Sequence, residues 1–201
     1  MSIFLFPQEK SLIFTLNMFI LVNHTTKDRS YEQLYLCESS GYDCKCYKNI
    51  GSLFCNIPFS QKDCHDALVF YVHLYADRFC PMHVAHLDDK GGNAVKMKWF
   101  GQNTNLHSVW DGKIIDSKGF SYSEYATYLH DVYGSKKREV LKLTDEQTLL
   151  QTYHITDNIY QYQATWNGNA YHYTYHWTAP MEWQMYVAGV KLAQSLNMIY
   201  K

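Results

Sequence analysis

The chain has 201 residues, 47% hydrophobic and 18% charged. That is enough for one domain with a sizeable core, and it excludes the apolar-poor composition of a disordered chain. The formal net charge of −1 gives no basic footprint for gripping duplex nucleic acid, though bound metal ions could still supply positive charge at a phosphate.

The first apolar run, residues 11–22 (SLIFTLNMFILV), follows Lys10. It is too short to span a bilayer, so no stable membrane insertion is expected. It reads either as the apolar part of a secretory leader or as a buried helix. Pro7, Gln8 and Glu9 make an odd leader flank, and no small-residue cleavage site follows, so a signal peptide is not clearly present. Residues 1–23 are therefore set apart as an atypical N-terminal segment. Residues 25–59 are polar, contain Cys37, Cys44, Cys46 and Cys55, and are broken by Gly41, Gly51 and Pro58. They read as a long loop with short helical pieces. Cys37-x6-Cys44-x-Cys46 does not have the usual Cys-x2-Cys spacing of a zinc knuckle.

Asp63 can cap a helix running from Cys64 to about Asp77, with Ala67, Leu68, Tyr71, Val72 and Tyr75 on its apolar side. Pro81 ends it, and His83 lies just beyond. Residues 84–104 read as a loop or short hairpin around Gly91-Gly92, followed by a helix carrying His107 and Asp111. Thr144-Asp-Glu-Gln147 is a capping-box pattern opening a helix toward His154. Alternation of Tyr171, Tyr173, Tyr175 and Trp177 suggests a strand. From Pro180 to about Ile199, apolar residues recur at three- and four-residue steps, the mark of an amphipathic helix facing the core.

The chemistry sits in the middle. His73-x3-Asp77-x5-His83 is followed, after a gap, by His107-x3-Asp111. A step of three or four residues puts side chains on one helical face, so each pair can point at one metal ion. Imidazole and carboxylate are the ligands of a catalytic zinc site, whereas structural sites are thiolate-rich. A single His-x3-Asp pair is weak evidence. Two pairs, a further histidine after a proline and the intervening Gly91-Gly92-Asn93 argue against coincidence.

These motifs resemble the zinc-dependent single-strand-specific nucleases and 3′-nucleotidases, which share a helical fold with bacterial zinc phospholipases C. That family reads His-x3-Asp-x3-Pro-Leu-His, then Gly-Gly-Asn, then Asn-Leu-His-x2-Trp-Asp. Here Met82 replaces the leucine, and the other two motifs are intact. Ala188-Gly189-Val190-Lys191-Leu192-Ala193 resembles the family's last helix. The resemblance runs from about His24 to the C-terminus. It implies an all-α, single-domain nuclease-like unit over residues 24–201, acting as a monomer in a secreted or lumenal compartment with oxidised cysteines, their connectivity open.

The resemblance also implies the ligand sets. The family holds up to three zinc ions, of which one or two are expected here. One would take His83, His107 and Asp111. A second would take His73 and Asp77 with His24, and Asp28 is the substitute for an early aspartate. The third, with Asp77 as a bridge, needs a histidine and a tryptophan from an N-terminal part that this sequence does not match, since no tryptophan precedes Trp99. Asp77 and Asp28 are then the carboxylates closest to the chemistry, and Gly92 and Asn93 lie at the substrate. Clustered cations would lower the pKa of a bridging water and offset charge on a phosphate attacked in line. The implied substrates are single-stranded nucleic acid and 3′-nucleotides, hydrolysed to 5′-phosphates. A degenerate member that binds zinc or a phosphorylated ligand with little turnover is the alternative, and a zinc phospholipase C fits the motifs less well. His172 and His176 share helical spacing, but the matched motifs already supply a ligand set.

Overall fold

The computed structural model describes residues 61–199, with side chains from Leu68 onward, Phe70 excepted. The expected apolar segment at 11–22, the cysteine-bearing loop, His24 and Asp28 lie outside the described residues. What is described is all-α apart from one small antiparallel hairpin. Among the described residues, no helix is long and apolar enough to cross a membrane.

Helix α1 spans Gln61–Asp77, and a 3-10 turn over Pro81–Val84 follows it. Proline cannot donate the backbone bond that would continue α1, so the chain turns and His83 falls immediately beyond it. Strands β1 (Lys96–Trp99) and β2 (Gln102–Asn105) pair with Lys96 opposite Asn105 and Trp99 opposite Gln102. Their tight turn is made at Phe100 and Gly101, both at positive φ, not at Gly91-Gly92 as the sequence suggests. Two central residues at positive φ suit the twist of a two-residue hairpin loop.

The next helical stretch is α2 (Leu106–Ser108), a wide π turn (Val109–Lys113) and α3 (Ile114–Asp116). Helix α4 (Tyr122–Tyr133) opens on a capping box in which Ser121 and Glu124 satisfy each other's backbone N–H groups. Helix α5 covers Lys137–Lys142. Helix α6 (Asp145–Thr165) opens on the expected Thr144–Gln147 capping box.

The last helix, α7, runs Ala170–Ile199, with Pro180 inside it. The strand suggested by the tyrosine alternation is a helix instead. Asn169 explains the start: its side chain accepts from the His172 N–H and its carbonyl from the Tyr173 N–H. Tyr173 and Trp177, one turn apart, are buried, whereas Tyr171 and Tyr175 are exposed. The alternation is thus an aromatic overlay on a helical period.

Helix α7 is the axis of the fold and packs against α1, α4, α5 and α6. The main core gathers Phe79, Met82, Leu106, Trp110, Ile114, Leu129, Tyr173 and Met185. A smaller cluster joins Val72 of α1 to Leu192, Leu196 and Ile199 of α7. Asp145 at the start of α6 ties α1 to α7. It meets Arg78 at 2.9 Å and Lys191 at 3.8 Å and accepts from the Tyr75 hydroxyl at 3.2 Å. The Arg78 contact holds the Asp145 carboxyl below its usual range, against the opposing effect of partial burial.

Candidate metal centre

Three segments converge. The end of α1 carries His73 and Asp77, the proline turn carries His83, and α2 with its π turn carries His107 and Asp111. Asp77 Oδ2 stands 3.3 Å from His73 Nε2 and 3.2 Å from His83 Nδ1. The other edge of the His83 ring faces Asp111, with Nε2 3.6 Å from Oδ1. His107 Nε2 is 4.0 Å from Asp111 Oδ2, and its ring stacks on His83 at 5.2 Å between centroids. Asp111 is only 3% exposed.

Each position has a local cause. Asn105 accepts from the Ser108 N–H and so starts the helix that carries His107. Trp110, between His107 and Asp111, is buried and donates its indole N–H to the Tyr173 hydroxyl of α7 at 2.9 Å. The turn bearing His83 is tied down by buried polar groups. Thr156 of α6 donates to the Pro81 carbonyl at 2.9 Å, and Gln184 of α7 donates to the Phe79 carbonyl at 3.1 Å. Gln184 also donates to the Thr152 hydroxyl.

Gly91 and Gly92 orient the second histidine. The Gly91 carbonyl lies 2.9 Å from His107 Nδ1. Donation from that nitrogen fixes the tautomer and leaves Nε2 free to ligate. The Gly92 carbonyl accepts from the His107 N–H, and the Gly92 N–H donates to Asp89. Asn93 directs its amide to the Lys90 carbonyl. Gly91 has φ +64°, and a Cβ there would stand 2.6 Å from the Met82 carbonyl oxygen. Gly91→Ala is therefore expected to destabilise by more than about 1 kcal/mol, since alanine must adopt a strained φ and push the Met82 turn away. Thermal unfolding checks this, and zinc affinity should fall with it.

The residues fit the zinc that such motifs imply. Tetrahedral zinc with bonds of about 2.0–2.2 Å sets ligand atoms roughly 3.3–3.6 Å apart. His83 Nε2 to Asp111 Oδ1, at 3.6 Å, matches such an edge, and His107 Nε2 to the other oxygen, Oδ2, at 4.0 Å, is somewhat longer; both are long for hydrogen bonds. Asp111 Oδ1 is buried with no hydrogen-bond partner, a state that a cation would relieve. Burial disfavours charging of His83, but the Cys80 sulfur and both carboxylates outweigh it and raise its pKa well above the ordinary value.

Cys80 is the residue that sequence reasoning missed. It is a buried thiol, free among the described residues; the side chains of the other five cysteines lie outside them. Cys80, His83 and Asp111 each offer a ligand atom within 4.8 Å of the others. His172 and His176 lie elsewhere, on the face of α7 toward Tyr162. The Tyr162 hydroxyl is 2.8 Å from His172 Nδ1, and its ring stacks on His176.

The model of the S1/P1 Nuclease family matches residues 23–201. The chain belongs to the S1/P1 nuclease family. It is 46% identical over 52 residues to Endonuclease 4 of Arabidopsis thaliana, covering 26% of this chain and 17% of that protein. It is 38% identical over 74 residues to Endonuclease 3 of the same plant, 36% of this chain and 25% of that protein. Similarity to Nuclease S1 of Aspergillus oryzae reaches 31% over 94 residues, 46% of this chain and 32% of that protein. The matched stretches thus span a third or less of these S1/P1 relatives.

An open groove of about 830 Å³ is lined by Lys96, Lys98, Asn103, Asn105, Gln163 and Trp166 among others. Asn105, the cap of the helix bearing His107, links groove and centre.

Proposed function

We propose that this chain carries the zinc-dependent phosphodiesterase activity of a single-strand nuclease, hydrolysing DNA, RNA or 3′-nucleotides to 5′-phosphates. The observation that supports it is the convergence of His73, Asp77, His83, His107 and Asp111 from three separate segments. His83, His107 and Asp111 would hold one zinc ion. His73 and Asp77 would hold a second, together with His24 and Asp28 from the segment outside the described residues. Zinc so bound supplies Lewis acidity at the phosphate and acidifies the attacking water.

The protein's own groups set the geometry. Gly91 orients the His107 ring, Asp77 holds His73 and His83 in place, and Thr156 and Gln184 keep the His83 turn from shifting. The groove supports a single-stranded substrate, because it combines two lysines for phosphates with the Trp166 ring for stacking and amides for base edges. The Gly92 carbonyl accepts from the His107 N–H, and Gly92 and its neighbour Asn93 are candidates for substrate contact. We place the chain in a secreted or lumenal compartment as a monomer, on the family likeness alone.

Release of 5′-mononucleotides from a single-stranded oligonucleotide at mildly acidic pH, with added zinc, tests this reading. Activity should vanish with a chelator and in His107→Ala. A chain that binds zinc but leaves the oligonucleotide intact would instead be a zinc-binding member without efficient turnover. The placement of Cys80 favours that second reading, because a thiol beside the ligands can close a position that catalysis needs open.

A further inference from the structure

We propose that the Cys80 sulfur is a fourth protein ligand to the ion held by His83, His107 and Asp111, closing its shell. This rests on the reading of those three residues as a metal centre and adds a residue that the family motif does not specify. In His-x3-Asp-x3-Pro-Leu-His, the position before the proline is unconstrained; in this chain it is Cys80.

The argument is geometric. Cys80 is 1% exposed, and its sulfur shares a 4.8 Å sphere with ligand atoms of His83 and Asp111. The N–H of Cys80 bonds the Asp77 carbonyl, and its own carbonyl accepts from the His83 N–H. The thiol is thus built into the turn between the two ligand motifs. Asp111 is 3% exposed, and its Oδ1 is buried with no hydrogen bond to satisfy it. A divalent ion at the centre answers both features.

Zinc–sulfur bonds of about 2.3 Å and zinc–nitrogen bonds of about 2.0–2.1 Å set such atoms roughly 3.6 Å apart, so Cys80, His83 and Asp111 need close by no more than about an ångström, and His107 moves in with them. On binding, the S–H bond gives way to a sulfur–metal bond, and one proton leaves to solvent. Two imidazoles, one carboxylate and one thiolate fill a tetrahedron with softer character than His2Asp alone. Losing an outer-shell partner costs about 10–100-fold in metal affinity. Losing a direct sulfur ligand should cost no less, so Cys80→Ala is expected to weaken zinc binding at least about tenfold.

Cobalt(II) replacing zinc reports the ligands directly. The metal-stripped full chain, titrated with cobalt, should show the visible bands of a tetrahedral ion and a near-ultraviolet sulfur-to-cobalt charge-transfer band. Cys80→Ala should keep the visible bands and lose the charge-transfer band. Visible bands with no charge-transfer band in the parent chain would overturn the thiolate ligand and leave the metal centre standing. So would a charge-transfer band that survives in Cys80→Ala, since it would then come from another cysteine. No cobalt uptake at all would overturn the metal centre itself. If Cys80→Ala does not fold, a chain keeping Cys80 with serine at positions 37, 44, 46, 55 and 64 decides: the band persists if Cys80 is the ligand and disappears if it is not.

Discussion

Asp77→Asn is expected to lower hydrolysis of single-stranded DNA by about a hundred- to thousandfold. The carboxylate oxygen that stands 3.3 Å from His73 and 3.2 Å from His83 belongs to both ligand motifs. The amide is isosteric, so the fold should survive, but it carries no charge and can present a donor where both imidazoles also present donors. It therefore takes a negative charge from the place where the proposed zinc ions would gather and loosens two histidines together. Removal of a single transition-state donor costs roughly 2.7–4 kcal/mol, and weakening a divalent ion that offsets phosphate charge should cost no less. The check pairs turnover with bound zinc and circular dichroism on the same protein. Loss of activity and of zinc with helicity unchanged is the expected pattern. Turnover unaffected by the change would remove Asp77, and the bridge it makes, from the mechanism.

Much of this centre was readable because its determinants are local. The i to i+4 spacing of His73 and Asp77, the stop at Pro81 and the cap at Asn105 act within a turn or two, so motif and structure coincide there. The Thr144–Gln147 capping box was legible for the same reason. The equivalent box at Ser121 and Glu124 carries the same signature. Other features depend on partners far along the chain. Thr148, Thr152 and Thr156 form a buried stripe on α6 that hydrophobic periodicity cannot flag, because threonine is polar. Each satisfies its hydroxyl on a carbonyl one turn back, and Thr156 also reaches Pro81. Gln184 likewise looks like a surface residue until Phe79 and Thr152 are seen to receive its amide. The tyrosine run misled because period two at Tyr171–Trp177 also contains period four, and only the packing of Tyr173 and Trp177 against Trp110 and Trp166 separates them. Cys80 carried no signal, since its meaning lies in the approach of Asp111 from another element.

Trp110→Ala is expected to lower stability by about 3–5 kcal/mol, the usual cost of emptying a large aromatic site. For a protein of this size that is a fall in melting temperature of roughly 6–20 °C. Trp110 is 1% exposed, meets Trp177 edge-to-face at 5.4 Å and donates to the Tyr173 hydroxyl. It occupies the π turn between His107 and Asp111, where one residue more per turn than in an α-helix is accommodated. Removing the indole therefore empties the core and frees the segment that spaces two ligands, so zinc affinity should fall along with the melting temperature. Tyr173→Phe separates the two contributions. It keeps the ring and leaves the indole N–H buried without a partner, at a cost of about 1–3 kcal/mol. Its effect should not add to that of Trp110→Ala, because in the double variant no donor is left unpaired. Trp110→Ala melting within about 2 °C of the parent chain would show that the π turn is held by its backbone rather than by this side chain. Additive losses in the double variant would show that the indole–phenol bond contributes nothing.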